Sequence, residues 1–343
     1  MLLSFSCENY KSIISTGISL SLNHKRISKS ARENTNITFL EEKSVKALPI
    51  AIIFGANSSG KSTLFGALKT LLLLLKNGIE PSLYEPNLFL NKSEILFRLS
   101  FSYENKLYDY EVSYDSERII REVLLENSIP VLEAKDVKKT TLPPHILSYL
   151  ESFLFFSSFN PSWEEDEERY IALSGKTRKE ARENIISLMK KLDFPLYDIK
   201  KDNTGWKSEH SDGIWLNLND ESDGTRRVLS LLASFLTSLE TGSVLIVDEI
   251  DISLHPILLR TLISLFLDKR YNTKNAQLIC SSHNTDLMDA PYVTTSELFI
   301  FEKTKKNGSI CVPIKELTTS IDKGRIRSLY LSGRLSGVPF PYI

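Results

Sequence analysis

The sequence predicts an α/β fold: a mixed, largely parallel central sheet, an antiparallel β subdomain and a helical insertion. Three observations lead there. Short runs centred on apolar, β-branched residues occur at Pro49–Phe54, Val244–Val247 and Gln277–Ser281, each followed or preceded by a segment of helical period. Strands buried on both faces of a parallel sheet look like this. Leu96–Tyr114 has a different period: Phe97, Leu99, Phe101 and Tyr103, then Tyr108, Tyr110, Val112 and Tyr114, alternate about Glu104-Asn105-Lys106, which predicts a β-hairpin. Third, a glycine-bounded loop joins the first buried run to a helix.

Composition narrows the class. Of 343 residues, 42% are hydrophobic and 25% charged, ordinary globular values that exclude wholesale disorder. Lys plus Arg is 42 and Asp plus Glu 43, a net charge of −1, which excludes a globally basic nucleic-acid binder and leaves room for a local basic face. Cys7, Cys280 and Cys311 are odd in number and far apart, fitting neither a disulfide framework nor a zinc site and suiting a reducing cytosol. Leu71–Leu75, the most apolar run, lies between Lys69 and Lys76 and is far short of a membrane span of about 20 residues. The N-terminus turns polar too early for a signal peptide. The expectation is a soluble cytoplasmic protein with no membrane partner.

In chain order, Leu2–Cys7 and Ile18–Leu22 read as strands, and Asn23–Lys46 as a polar loop with a short strand near Ile37–Leu40. A helix runs from Gly60 to a stop at Lys76-Asn77-Gly78. Ile119–Glu126 extends the antiparallel sheet. Ala181, Ile185, Leu188, Met189 and Leu192 mark one amphipathic helix, and the acidic run Glu164–Glu168 reads as a solvated helix start. Ile214-Leu216-Leu218 reads as a strand, Gly224–Leu239 and the segment after Pro256 as helices, and Leu298–Lys303 with Ser309–Ile314 as a hairpin turned by Asn307-Gly308. The expected organisation is an N-terminal lobe over 1–127, a mostly helical insertion over 128–205 and a C-terminal lobe over 206–343.

Four motifs carry chemistry. Gly55-Ala56-Asn57-Ser58-Ser59-Gly60-Lys61-Ser62 fills the phosphate-loop pattern G-x-x-x-x-G-K-[ST], with Thr63 next, between a buried strand and a helix. Glycines let the backbone N–H groups turn inward on an anion, and the helix N-terminus adds partial positive charge. Lys61 then reaches the β- and γ-phosphates of ATP, and Ser62 ligates Mg²⁺. Asp248-Glu249, at the end of the Val244–Val247 strand, supplies a second Mg²⁺ contact (Asp248) and a general base for water (Glu249). Glu221–Arg227 places Ser222 and Gly224 before a helix, either a second anion site or an ordinary cap. Cys280-Ser281-Ser282-His283 sets His283 at a strand end, either as a γ-phosphate donor or as a satisfied core residue. His255 stands between helix-start packing and a subunit contact.

Taken in this order, the motifs resemble ABC-type ATPase heads of the SMC/RecF/OLD-like branch, and among them the small OLD-like ATPases of phage defence (RloA-like, abortive infection). The resemblance is carried by Asn9-Tyr10-Lys11-Ser12, Glu221–Thr225, Asp248–Pro256, Ser281–Asn284 and Gly333–Pro339. It implies a head-to-tail homodimer or higher homo-oligomer around two ATP molecules. Lys61, Ser62, Asp248, Glu249 and His283 of one subunit would face Ser222 and Gly224 of the other, with Lys11 and Ser12 near the nucleotide. It further implies ATP hydrolysis and control of a separate effector, a nuclease or toxin. A DNA-repair head that binds DNA itself is the alternative, and a transporter motor is a third reading. The glutamine that ligates Mg²⁺ in many ABC heads has no counterpart, because Gln277 is the chain's one glutamine; water or a residue of Tyr84–Asn91 would take its place. Lys323–Ile343 is basic without an acid, a surface tail able to dock a partner or touch a nucleic-acid backbone.

Overall fold

The computed structural model describes residues 1–22, 38–40, 45–156, 162–304, 308–317 and 323–338. The chain begins with β1 (Leu2–Tyr10), β2 (Ile13–Ser19), β3 (Ser21–Leu22), β4 (Thr38–Leu40), β5 (Val45–Ala47), β6 (Ile50–Phe54) and α1 (Lys61–Asn77). It continues through β7 (Ile95–Tyr103), β8 (Lys106–Tyr114), β9 (Ile119–Glu126), β10 (Ile129–Val137), α2 (Pro144–Glu151), β11 (Leu154–Phe156), α3 (Trp163–Ser174) and α4 (Arg178–Lys191). Next come β12 (Asp198–Asp202), β13 (Gly205–Glu209), β14 (Trp215–Asn217), α5 (Asp223–Thr241), β15 (Val244–Val247), α6 (Pro256–Leu267) and β16 (Gln277–Ser281). The last elements are β17 (Leu298–Thr304), β18 (Gly308–Pro313), α7 (Ile314–Leu317) and α8 (Ile326–Leu331).

The central sheet has the order β11-β15-β16-β6-β17-β18, parallel except for β18. Alternation along its inner strands explains why they read as continuous apolar runs. Ile50, Ile52 and Phe54 of β6 enter one core with Leu245, Val247 and the apolar sides of α5 and α6. Ala51 and Ile53 enter a second core with Val244, Ile246, α1 and the antiparallel sheet. That second sheet has the order β10-β9-β8-β7-β1-β2, and Glu104 and Asn105 turn its β7–β8 hairpin with φ of 49° and 59°. The mixed sheet, the antiparallel subdomain and the hairpin therefore match the expectation.

Gln277 ties the two layers together. Its Nε2 donates to Leu2 O at 3.0 Å and Leu48 O at 2.9 Å, and its Oε1 accepts from Leu2 N at 2.6 Å. It starts β16, at the opposite end of the strand from Ser281, so it braces β1 against the central sheet and takes no part at the strand's far end.

Three sequence readings need correction. The 128–205 segment is less helical than expected: β10 pairs with β9 from Ile129 to Val137, β11 pairs in parallel with β15, and β12 begins a small sheet with β13 and β14. Exposed positions dominate β10, so its apolar alternation is faint in sequence. The Ile214–Leu218 strand shrinks to Trp215–Asn217, because Leu218 turns into a 3₁₀ segment while Ile214 and Leu216 stay exposed. The acidic run is only partly solvated. Ser162 caps α3 and Glu164 and Glu165 are exposed, but Asp166 and Glu167 are buried against α5 and Arg178. Within the 23–46 loop, 38–40 and 45–46 are strand, and the rest lies outside the described residues, as does Asn307 of the predicted turn. No helix among the described residues is long and apolar enough to cross a membrane.

Burial raises the Asp166 pKa from 3.8 to about 6, against Arg169 and Ser234, which favour the carboxylate. Between those values the folded chain holds a proton that the unfolded chain has released, so stability falls as pH rises through the window. Asp166→Asn is expected to stabilise the fold by about 2–3 kcal/mol at pH 7 and by almost nothing near pH 4. Urea unfolding of both proteins at the two pH values checks this.

Candidate nucleotide site

The phosphate loop grows from the C-terminal end of β6, where parallel α/β sheets place ligands. Gly55 has φ 155° and Gly60 φ 115°. A Cβ on Gly55 would stand 2.3 Å from Phe301 O, and one on Gly60 2.8 Å from Ser309 Oγ. The β17–β18 hairpin thus backs the loop so closely that both positions need glycine. Gly60 opens α1, a 17-residue helix whose N-terminal amides and dipole favour an anion. Asn57, Ser58 and Ser62 are exposed, Ala56, Gly60 and Thr63 half-buried, and Ser59 buried. The Ser59 hydroxyl has no hydrogen-bond partner among the described residues.

Lys61 is buried, and its Nζ donates to Gly55 O at 2.7 Å and Ala56 O at 3.0 Å. Burial lowers its pKa, while Asp248, Glu249 and Asp251 oppose that shift and favour the ammonium. These carboxylates are near because the register sets the strand ends level: Val247 pairs with Cys280, and Ser281 with Ile53.

Ser281 organises the acidic pair. Its hydroxyl donates to Asp248 Oδ1 at 2.5 Å and accepts from Glu249 N at 2.7 Å. Glu249 has φ 52°, a left-handed backbone uncommon outside glycine, and its carbonyl accepts from Arg227 NH2 at 2.6 Å. Burial lowers the Arg227 pKa to about 10, opposed by Asp251 and Glu249. Asp251 in turn accepts from His283 N, leaving the His283 side chain exposed at the end of β16.

A glycine cradle, a buried unpartnered hydroxyl and an ammonium beside three carboxylates fit a phosphate with a divalent cation. Ser62 and Asp248 are the residues that would hold such a cation if it were Mg²⁺, which typically takes one or two carboxylates, waters and phosphate oxygens rather than an all-protein cage.

Ser222 and Gly224 lie at the start of α5, the helix whose Arg227 reaches the Glu249 carbonyl. Ser222 is exposed and caps α5, accepting from Thr225 N at 3.1 Å. Around Gly224 the nearest groups are Ser253 and Ser222, at ordinary contact distance. Glu221 fixes the turn from below, accepting from Ser208 Oγ and bonded to His210 Nε2, both at 2.5 Å. The sequence reading missed Ser208 and His210, since Ser208 lies on a short polar strand and His210 just after it. His255 caps α6, accepting from Ile257 N at 3.3 Å, so a helix-start role is present.

Lys11 pairs with Glu85 at 2.9 Å, and Ser12 Oγ lies 3.4 Å from Thr63 Oγ1 at the start of α1. With Tyr84 and Phe89 they line a cavity of about 510 Å³. Asn9 shapes its wall by donating to Lys92 O and Glu94 O and accepting from Asn87 N. In the Gly333–Pro339 motif, Gly337 O accepts from Ala56 N at 2.8 Å, and Pro339 lies outside the described residues.

Residues 50–289 match the sequence profile of the family described as "AAA domain, putative AbiEii toxin, Type IV TA system". No curated protein matches the chain. Among solved structures, an Smc head bound to the C-terminal winged-helix domain of ScpA is similar at a TM-score of 0.56 and 15% identity, covering 91% of this chain and 97% of that one. An Smc head with an extended coiled coil, bound to the C-terminal domain of ScpA and derived from Pyrococcus furiosus, gives 0.53 and 12% over 97% and 99%. At these identities the likeness shows an SMC-head fold. With more than two thirds of its length matched, the chain belongs to the AAA-domain family that the profile describes.

Proposed function

We propose that the chain is an ATPase that closes head to tail on ATP and opens when the γ-phosphate is lost, acting as a sensor or regulatory subunit for a separate effector. The observation that carries this is that Lys61, Asp248, Glu249 and His283 gather at three adjacent strand ends, while Ser222, at the N-terminus of α5, is exposed and open to a second copy. A second copy completes what one copy leaves open.

In the chemistry so supported, the loop amides and Lys61 bind and orient the phosphates of ATP. Glu249, held by Ser281 and Arg227 through its backbone, accepts a proton from the attacking water. His283 donates a hydrogen bond toward the γ-phosphate. Mg²⁺, held by Ser62 and Asp248, would neutralise charge on the phosphate oxygens. Lys11 and Ser12 border the nucleotide at the start of α1. The effector, a nuclease or toxin in this reading, is a separate protein, as the structurally similar Smc heads are themselves bound to a domain of ScpA.

Glu249→Gln, expected to bind ATP but barely hydrolyse it, should form a dimer in ATP and Mg²⁺ and remain a monomer in ADP, as read by light scattering. A monomer in both would overturn the switch. Salt-dependent capture of duplex DNA by the wild-type chain would instead favour the DNA-repair reading.

A further inference from the structure

The basic tail, read from sequence as a surface for a partner or nucleic acid, packs in large part on the chain's own site. At one end Arg327 Nε donates to Thr285 Oγ1 at 3.1 Å, its NH1 pairs with Asp286 Oδ1 at 2.8 Å, and its backbone N–H donates to Asp289 Oδ1 at 3.3 Å. Those acceptors follow His283 by two to six residues. At the other end Gly337 O takes the Ala56 N–H, the second amide of the phosphate loop. Between them, the Tyr330 ring stands 6.3 Å from Phe54, the last residue of β6, and Ile326 and Leu335 are buried in the same core.

The turn that brings the chain back is specific. Ser336 and Gly337 have φ of 62° and 70°, and a Cβ on Gly337 would stand 2.4 Å from Ile300 Cγ2. An amide already bonded to a protein carbonyl is not offered to a ligand, so the Gly337 tie supports the phosphate loop without occupying nucleotide. Arg327 likewise touches the segment behind His283 rather than His283 itself.

We propose that residues 326–337 form a strap that sets the spacing between the phosphate loop and the His283 segment, with Arg327 and Gly337 as positioning residues for the hydrolytic step. This rests on the reading of the site as ATP-hydrolysing. Most phosphate contacts, the loop amides and Lys61, survive loss of the strap, so ATP binding persists. The geometry of His283 and Glu249 against the γ-phosphate does not, and a displacement near 1 Å is enough to cost about 10²-fold in rate.

The test compares wild type, Lys61→Ala, Arg327→Met, Arg327→Lys and Gly337→Ala in steady-state ATP hydrolysis, with thermal unfolding as a check. Arg327 is partly exposed and its replacement by Met opens no cavity, so that variant keeps its fold even if Gly337→Ala does not. The expected result is a kcat for Arg327→Met lowered by about tenfold or more with KM for ATP within about twofold, and substantial recovery in Arg327→Lys, which keeps the pair with Asp286. An unchanged kcat in folded Arg327→Met, or a loss confined to KM, overturns the strap while leaving the ATPase reading intact. A wild-type rate no higher than that of Lys61→Ala overturns both.

Discussion

Glu249→Gln is expected to lower the steady-state rate of ATP hydrolysis by about 10²–10⁴-fold, the usual contribution of a positioned general base. ATP affinity should change little, because Glu249 is not among the phosphate-loop groups. The substitution is conservative where it matters structurally. The backbone of residue 249 is held by Ser281 Oγ at its N–H and by Arg227 and Ile252 N at its carbonyl, contacts that a glutamine keeps along with the left-handed turn. What disappears is proton acceptance. Nucleotide titration followed by turnover with an inorganic-phosphate readout separates the two effects. A variant that hydrolyses ATP at the wild-type rate would remove Glu249 from the chemistry and leave the acidic pair with a purely electrostatic part.

Much of the site was legible because its motifs are local. A phosphate loop is eight consecutive residues between a strand and a helix, and its glycine positions follow from backbone geometry that neighbours only reinforce. Phe301 and Ser309 crowd those glycines from behind, yet nothing in the sequence near Gly55 announces them. The parallel strands were legible for a related reason: burial on both faces leaves no polar position to blur the run. Legibility failed where long-range contacts decide. Asp166 and Glu167 sit inside an acidic run that would ordinarily face water, and the packing of α3 on α5, with Arg178 against Glu167, buries them. Ser208 and His210 matter because they hold Glu221, a partner found only when β13 folds beside the turn before α5. The tail showed its charge plainly, but its tie to Ala56 spans most of the chain and its tie to Asp286 crosses the β17–β18 hairpin.

The exposed position of Ser222 leads to the second large effect. Lys61→Ala and Ser222→Arg are each expected to abolish hydrolysis when every subunit carries the change: the first removes the ammonium at the phosphate loop, and the second fills the turn that would meet a partner's γ-phosphate. Ser222→Arg also removes a helix cap, worth about 1 kcal/mol, which leaves the buried face of α5 to hold the fold. Mixing the two inactive proteins is the decisive experiment. In a head-to-tail pair, the altered loop of one subunit and the altered turn of the other fall in one composite site, and the second composite site receives an intact loop and an intact turn. Hydrolysis should therefore return in the mixture, toward one working site per mixed dimer, and should grow with total protein concentration as pairing does. If each subunit instead completed its own site, both defects would stay in separate, dead sites and the mixture would remain inactive. The outcome turns on whether Lys61 of one copy meets Ser222 of another, as the head-to-tail reading requires.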